Sequence, residues 1–253
     1  MNLGWLLFKH SVLMVWRNFQ QALQIFLLPT ILAIAIVLGA AFGLGVPPGA
    51  FATTPEGSGD PVPGGLYLFI WIAFMTIVFV MCWTVVAWHR FVLLEEYPQG
   101  WIPAVKGDRI AAYVGRSILL ILAFFAMSIP LVIVMTATMG VPVVMWPLLF
   151  ACSLIVYVFG LRLSITLPAA AIGSRLTFGQ AFEETRGAFW PILTIAFCSG
   201  VLGFSLNAVE LLFANIPVLY YIWAVPTQLF VAVLNVSVIT TLFGHYVEKR
   251  TVT

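Results

Sequence analysis

The sequence predicts an all-α integral membrane protein whose six transmembrane helices form three helical hairpins, each preceded by a cytoplasmic-side interfacial helix. The 253 residues are 62% hydrophobic and only 8% charged, which leaves too little polar surface for a soluble domain. Six apolar runs are each long enough to cross about 30 Å of hydrocarbon. All Lys and Arg residues lie in every second gap between or beside these runs.

The six runs are interpreted as the spans of one membrane domain that covers residues 1–253. Their predicted limits are about residues 24–44, 66–88, 118–138, 141–161, 191–214 and 217–244. Because none of the runs alternates like a barrel strand, helices are the expected way to satisfy the backbone in lipid. Only two residues join spans three and four, and two join spans five and six, which favours tight antiparallel hairpins.

The eleven basic residues predict the topology. They precede span one, separate spans two and three and spans four and five, and follow span six. Basic loops remain on the cytoplasmic side during insertion. We therefore expect both termini to be cytoplasmic.

The segments that precede spans one, three and five predict the interfacial helices. On a helical wheel of about residues 3–21, one face is apolar and aromatic. Its members are Trp5, Phe8, Val12, Val15, Trp16 and Phe19. Thr177 and Gln180 form a capping-box pair that starts a helix before span five. Asp108 is expected to cap a short helical turn before span three.

A loop rich in proline and glycine runs from Val46 to Leu66 and carries Glu56 and Asp60 but no basic residue. This composition resists both helix and strand formation. A plain linker is favoured over a binding loop.

Polar residues within the spans are candidates for function because ionisable groups are costly in lipid. Glu210 is the only acidic residue within a span, and it is expected near a helix end, as an interfacial carboxylate or as part of a proton or ion relay. Gln228 falls near the midplane, level with Ser199, so a hydrogen bond between these two is expected. Gly39 and Gly43, and likewise Ser199 and Gly203, have the spacing of close helix contacts.

No residues have the spacing of a catalytic, cofactor-binding or metal site. The three cysteines lie inside apolar runs, and the three histidines lack ligand spacing. A phosphate-binding loop and a nucleophile elbow are also absent from the sequence. We therefore expect no enzymatic activity, no cofactor, no metal and no nucleic-acid partner.

Five arginines flank the spans at the predicted cytoplasmic interface and are candidate contacts for lipids or partner proteins. They are Arg17, Arg90, Arg116, Arg162 and Arg186. Anionic phospholipid headgroups would complement them. Topology alone also explains their placement, and nearby carboxylates are alternative partners. These carboxylates are Glu95, Glu96, Glu183 and Glu184.

Two stretches carry a family resemblance. One runs from Ala87 to Phe91 and is followed by Glu95 and Glu96; the other runs from Arg162 to Ala171 and is followed by Thr185-Arg186-Gly187. They resemble small bacterial six-span inner-membrane proteins similar to the membrane domain of glycerophosphodiester phosphodiesterases. The resemblance implies a bacterial inner membrane and six helices, and it transfers no catalytic residue because the catalytic domain is absent.

The leading hypothesis is a non-enzymatic multi-pass protein that serves as a scaffold or accessory subunit of a membrane complex, or in envelope homeostasis. The alternative is a small transporter or a protein that handles anionic lipids. Membrane lipids are the expected partners, with other membrane proteins or further copies of the chain as additional candidates.

Overall fold

The computed structural model describes residues 2–46 and 64–251, and these residues fold entirely as helices and connecting turns. Residues 47–63, which form most of the loop from Val46 to Leu66, lie outside the described residues. The helices are α1 (Leu3–Arg17), α2 (Phe19–Gly43), α3 (Leu66–Leu94), α4 (Gly107–Thr138), α5 (Pro142–Ser164), α6 (Thr166–Ile172), α7 (Phe178–Glu184), α8 (Phe189–Leu212) and α9 (Pro217–Tyr246).

Six helical stretches are long and apolar enough to cross a membrane, which confirms the number of predicted spans. They are α2, α3, α4, α5 continued by α6, α8 and α9. The chain is therefore consistent with a multi-pass membrane protein. α2 packs along α3 and α4 along α5, while α8 contacts α9 and also α1.

α1 packs against α8 and α9, and its contact face differs from the predicted apolar face. The buried residues are Gly4, Leu7, Phe8, Ser11 and Val15. Trp5 is 46% exposed and Trp16 is 74% exposed, so the largest aromatic residues point away from the contact. A helical wheel assigns the apolar face by the large aromatic rings, whereas the contact between helices uses small residues, which allow the closest approach.

The helix that begins the chain also ends earlier than predicted. α1 stops at Arg17, and the backbone N–H and the amide side chain of Asn18 both donate to Met14 O at this end. α2 then starts at Phe19.

The helical turn expected before span three is the first part of α4, but the predicted cap by Asp108 is wrong. α4 runs without a break from Gly107 to Thr138, and Asp108 lies in its first turn without a side-chain capping bond. Between Gly107 and Pro130 the sequence has no proline that would interrupt the helix.

α6 and α7 complete the connection between α5 and α8. α6 is buried and ends at Gly173, whose φ of +87° suits glycine. α7 begins with the predicted capping box, in which Thr177 Oγ1 accepts from Gln180 N and Thr177 N donates to Gln180 Oε1. This part of the prediction is confirmed.

The buried core lies at one end of the helix bundle, which we call the basic end because Arg90, Arg162 and Arg250 lie there, each with its own partners. Its two clusters join α1, α6 and the adjoining ends of the long helices. Toward the opposite end the helices have few neighbours: only 6% of the most apolar stretch of α4 is buried, against 33% for α9.

Neither Gly39 nor Gly43 has a packing partner within the described residues, because a Cβ placed at either position would meet nothing within 4 Å. The two glycines therefore do not mediate the α2 to α3 contact.

Candidate functional site

A cavity of about 700 Å³ lies at the basic end, where residues 95–106 fold back over α3. We call it the loop cavity. α3 lines it with one helix face, formed by Trp83, Val86, Ala87 and Arg90. α2 contributes Ile25, and residues 95–106 supply the remaining wall, including Glu95, Glu96, Ile102 and Lys106.

The backbone turns sharply where α3 ends. Glu95 adopts a left-handed conformation with φ of +56°, and its N–H donates to Arg90 O. Such a conformation costs a non-glycine residue about 1–2 kcal/mol, and it places two successive carboxylates beside the cavity. Pro98, Gly100 and Pro103 then prevent a helix from forming before α4.

The same segment exposes an aromatic and aliphatic tip. Tyr97 is 65% exposed, Trp101 is 54% exposed and Ile102 is 56% exposed. Residues of this kind are enriched at membrane–water interfaces. The mouth of the loop cavity therefore has the composition of an interfacial site.

Arg90 holds the segment against the helix bundle. Its Nε donates to Glu96 Oε2 at 2.8 Å, and its Nη2 binds Glu96 Oε1, so the pair is bidentate. Its Nη1 donates to Ala171 O of α6 at 3.1 Å. Arg90 therefore has a structural role, because it links residues 95–106 to α6. Of the two candidate partners, anionic lipid and a nearby carboxylate, the structure pairs it with the carboxylate of Glu96.

Glu96 gives this fastening a pH dependence. The hydrogen-bonded Arg90 guanidinium is the main cause that holds the pKa of the Glu96 carboxyl below its ordinary value of 4.5. A carboxyl whose pKa is lower in the folded protein stabilises it above the ordinary pKa, and this stabilisation disappears as the pH falls through the folded value.

We expect the thermal unfolding temperature of the purified protein to fall as the pH is lowered from about 5 to about 3, in part because Glu96 becomes protonated over this range. Glu96→Gln should flatten that part of the pH profile, whereas Glu183→Gln, on the exposed side of α7, should leave it unchanged. Thermal unfolding of the three proteins across this pH range tests the expectation. Parallel profiles for all three would contradict it.

Glu95 and Lys106 are the less tightly paired charges of the loop cavity. Lys106 forms one long ion pair, with Nζ 3.7 Å from Glu96 Oε1, and its side chain is 41% exposed. Glu95 makes no side-chain hydrogen bond or ion pair with any described residue. Sequence reasoning did not single out Lys106. The sequence signal that could have identified Lys106 is the segment of residues 95–106. It is interrupted by proline and glycine, and it places Trp101 and Ile102 between charged residues.

Arg162 also has an internal role. Its Nε donates to Thr185 Oγ1 at 2.9 Å and its Nη2 donates to Phe182 O at 2.8 Å. The guanidinium also lies over the rings of Phe159 and Phe182, at 5.7 and 4.6 Å from their centroids. These contacts fasten α7 to α5.

The remaining predicted arginines stand apart from one another. Arg116 lies over the Phe178 ring at 5.6 Å. Arg17 and Arg186 are exposed, and their side chains make no ion pair within the described residues. The five predicted arginines therefore do not form one shared site.

The expected Gln228 to Ser199 pairing is wrong. Gln228 Nε2 donates to Glu210 Oε1 at 3.0 Å and lies 3.3 Å from Asn207 Oδ1. The prediction compared positions along the helix axes, whereas the long side chains of Gln228 and Glu210 reach each other between α9 and α8.

Ser199 lies in a different place, in a groove of about 350 Å³ between α5, α8 and α9. Asn235 and Gly203 also line this groove, whereas Gln228 and Glu210 do not. The intramembrane polar residues therefore do not surround one cavity. Glu210 is 8% exposed, so its carboxylate is a buried partner of Gln228 and not an exposed interfacial group.

The described residues contain no group of three or more His, Cys, Asp or Glu side chains that could hold a metal ion. Cys82, Cys152 and Cys198 are free and dispersed over three helices. His89 is fully buried, with Nδ1 2.8 Å from Thr240 Oγ1, and serves the packing between α3 and α9.

Comparison with protein-family models, with curated proteins and with solved structures finds no match to this chain. The resemblance to six-span membrane domains remains a prediction from the two sequence stretches.

Proposed function

We propose that this protein binds a membrane lipid in the loop cavity, as a non-enzymatic multi-pass protein of a bacterial inner membrane. The observation that carries the proposal is that the cavity has one apolar wall and one charged wall. Trp83, Val86 and Ile25 supply apolar surface, while charged residues surround the side formed by residues 95–106. The volume of about 700 Å³ is typical of a small-molecule site.

The position of the cavity supports a lipid ligand. The exposed Tyr97, Trp101 and Ile102 would anchor the segment at the membrane interface, which is the depth of a phospholipid headgroup. With the basic loops on the cytoplasmic side, the cavity would open to the inner leaflet. In this arrangement the spans form three hairpins, and α1 and α7 lie near the cytoplasmic surface.

The proposal predicts that filling the cavity removes bound lipid. Ala87→Phe places a ring on the α3 wall of the cavity, between Trp83 and Arg90. Ala104→Trp fills the cavity from the opposite wall, residues 95–106, where Ala104 is exposed and a larger side chain is less disruptive to folding. Ala111→Phe, exposed on α4 and outside the cavity lining, is the matched control.

Native mass spectrometry of protein purified in a mild detergent should show a retained phospholipid in the wild type and the control, and about tenfold less in both cavity variants. Thermal unfolding of each variant establishes that it is folded. Equal retention in all four proteins would overturn the proposal.

One observation favours the scaffold or accessory role as a second function. The far halves of α4 and α5 expose large apolar side chains, such as Phe125 at 68%, Val143 at 85% and Phe150 at 69%. In a membrane this surface would contact lipid or another protein. The same mass spectra report any second subunit that remains bound.

A further inference from the structure

We propose that the loop cavity selects a zwitterionic phospholipid, one whose headgroup carries an ammonium group as well as the phosphate, as in phosphatidylethanolamine. This inference rests on the proposed lipid binding and specifies its ligand. It departs from the anionic lipid that the abundance of basic residues suggests.

The charges that line the cavity balance. Arg90 and Lys106 are cationic, and Glu95 and Glu96 are anionic, so the formal charge of the lining is zero. A purely anionic headgroup would gain from the cations but would also be brought close to two carboxylates. Repulsive elements of this kind are a common source of specificity.

Internal pairing leaves one charge of each sign available. Arg90 and Glu96 satisfy each other through their bidentate contact. Lys106 forms only a long ion pair, 3.7 Å from Glu96 Oε1, so its ammonium group keeps donors for a ligand. Glu95 keeps its acceptors because it has no side-chain partner among the described residues. A phosphate would bind Lys106 and an ammonium group would bind Glu95, each through charge-assisted hydrogen bonds.

Tyr97 supports the cationic part of this assignment. Its ring lines the cavity beside the two carboxylates and is held edge-on against Phe91 at 5.3 Å between centroids. An aromatic face next to carboxylates attracts an ammonium group. The glycerol and the first acyl carbons would then lie against Trp83 and Ile102.

The experiment reconstitutes the full chain in nanodiscs of equal parts phosphatidylethanolamine and phosphatidylglycerol with matched acyl chains. The lipids that remain bound after release into detergent are then measured by native mass spectrometry. We expect the wild type to retain phosphatidylethanolamine over phosphatidylglycerol by about tenfold, as expected from one charge-assisted hydrogen bond.

Three variants assign the charges. Glu95→Gln should bring the ratio of the two lipids close to one, and Glu95→Gly should do the same while suiting the left-handed backbone at this position. Lys106→Gln should lower retention of both lipids by about tenfold because both carry a phosphate. Glu183→Gln, on α7 and outside the cavity, should behave as the wild type.

The failures are distinguishable. Equal retention of both lipids by the wild type, or a preference for phosphatidylglycerol, would overturn the zwitterion assignment and leave lipid binding standing, provided that Ala87→Phe still loses lipid. Retention unaffected by Ala87→Phe would overturn both. Displacement of the lipid by an equal concentration of soluble phosphoethanolamine would show that the headgroup alone is the ligand and would overturn the assignment to a lipid.

Discussion

Replacing Trp88 by alanine is expected to lower the free energy of unfolding by about 3–5 kcal/mol. Trp88 is fully buried between α2, α3 and α9, with its ring 5.9 Å from Phe26 and 5.5 Å from Phe91. Its Nε1 donates to Ser237 Oγ of α9 at 3.0 Å. The alanine variant would lose this bond and leave a cavity where three helices meet.

Trp71→Ala is the matched control, because Trp71 lies on the same helix and is 60% exposed. Its effect on stability should remain within about 0.5 kcal/mol. Denaturant unfolding of both variants in detergent micelles measures the difference. Similar losses in the two variants would contradict the assignment of Trp88 to the core.

Gly4→Val is expected to destabilise the contact of α1 with α8 by about 3 kcal/mol, at the upper end for overpacking. A Cβ at this position would collide with the backbone oxygen of Pro191 and would lie 2.6 Å from Thr194 Cβ. The backbone of a neighbouring helix cannot rotate away as a side chain can. α1 must therefore shift as a whole, which also disturbs the 2.9 Å hydrogen bond between Ser11 and Thr241.

Gly39→Val makes the same substitution within α2, where a Cβ would meet nothing within 4 Å among the described residues. This variant separates the steric effect from the change in helix propensity. Unfolding measurements, together with protease access to α1, should show a large loss for Gly4→Val alone. If Gly39→Val were equally destabilised, the close approach would not be the cause.

The long apolar runs were sufficient to predict six span-length helices because a hydrocarbon core demands about 20 apolar residues in each. The capping box at Thr177 was likewise predictable, since both of its bonds are local. The contact face of α1 was not predictable, because a helical wheel ranks residues by hydrophobicity. The contact depends on Gly4 and Ser11, and their contribution to packing depends on the shape and polarity of the helices that face them.

The loop cavity shows the same limit. The charges of Arg90 and Lys106 were visible in the sequence, but their different roles follow from geometry. Arg90 is hydrogen-bonded to Glu96 and Ala171, whereas Lys106 forms only a long ion pair with Glu96. The partner of Gln228 also follows from geometry, because its side chain reaches Glu210 and Asn207 of α8 and not Ser199.

The contact of α1 with α8 and α9 sets an order for biosynthesis. α1 leaves the ribosome before any span, yet Ser11 finds its partner Thr241 only 230 residues later in the chain. Until α8 and α9 are inserted, Leu7 and Ser11 lack the helices that bury them, and the membrane surface must hold α1 in place. Closure of this contact therefore marks the insertion of α9, and an insertion machinery or protease that recognises the open face of α1 would distinguish molecules before this step from molecules after it.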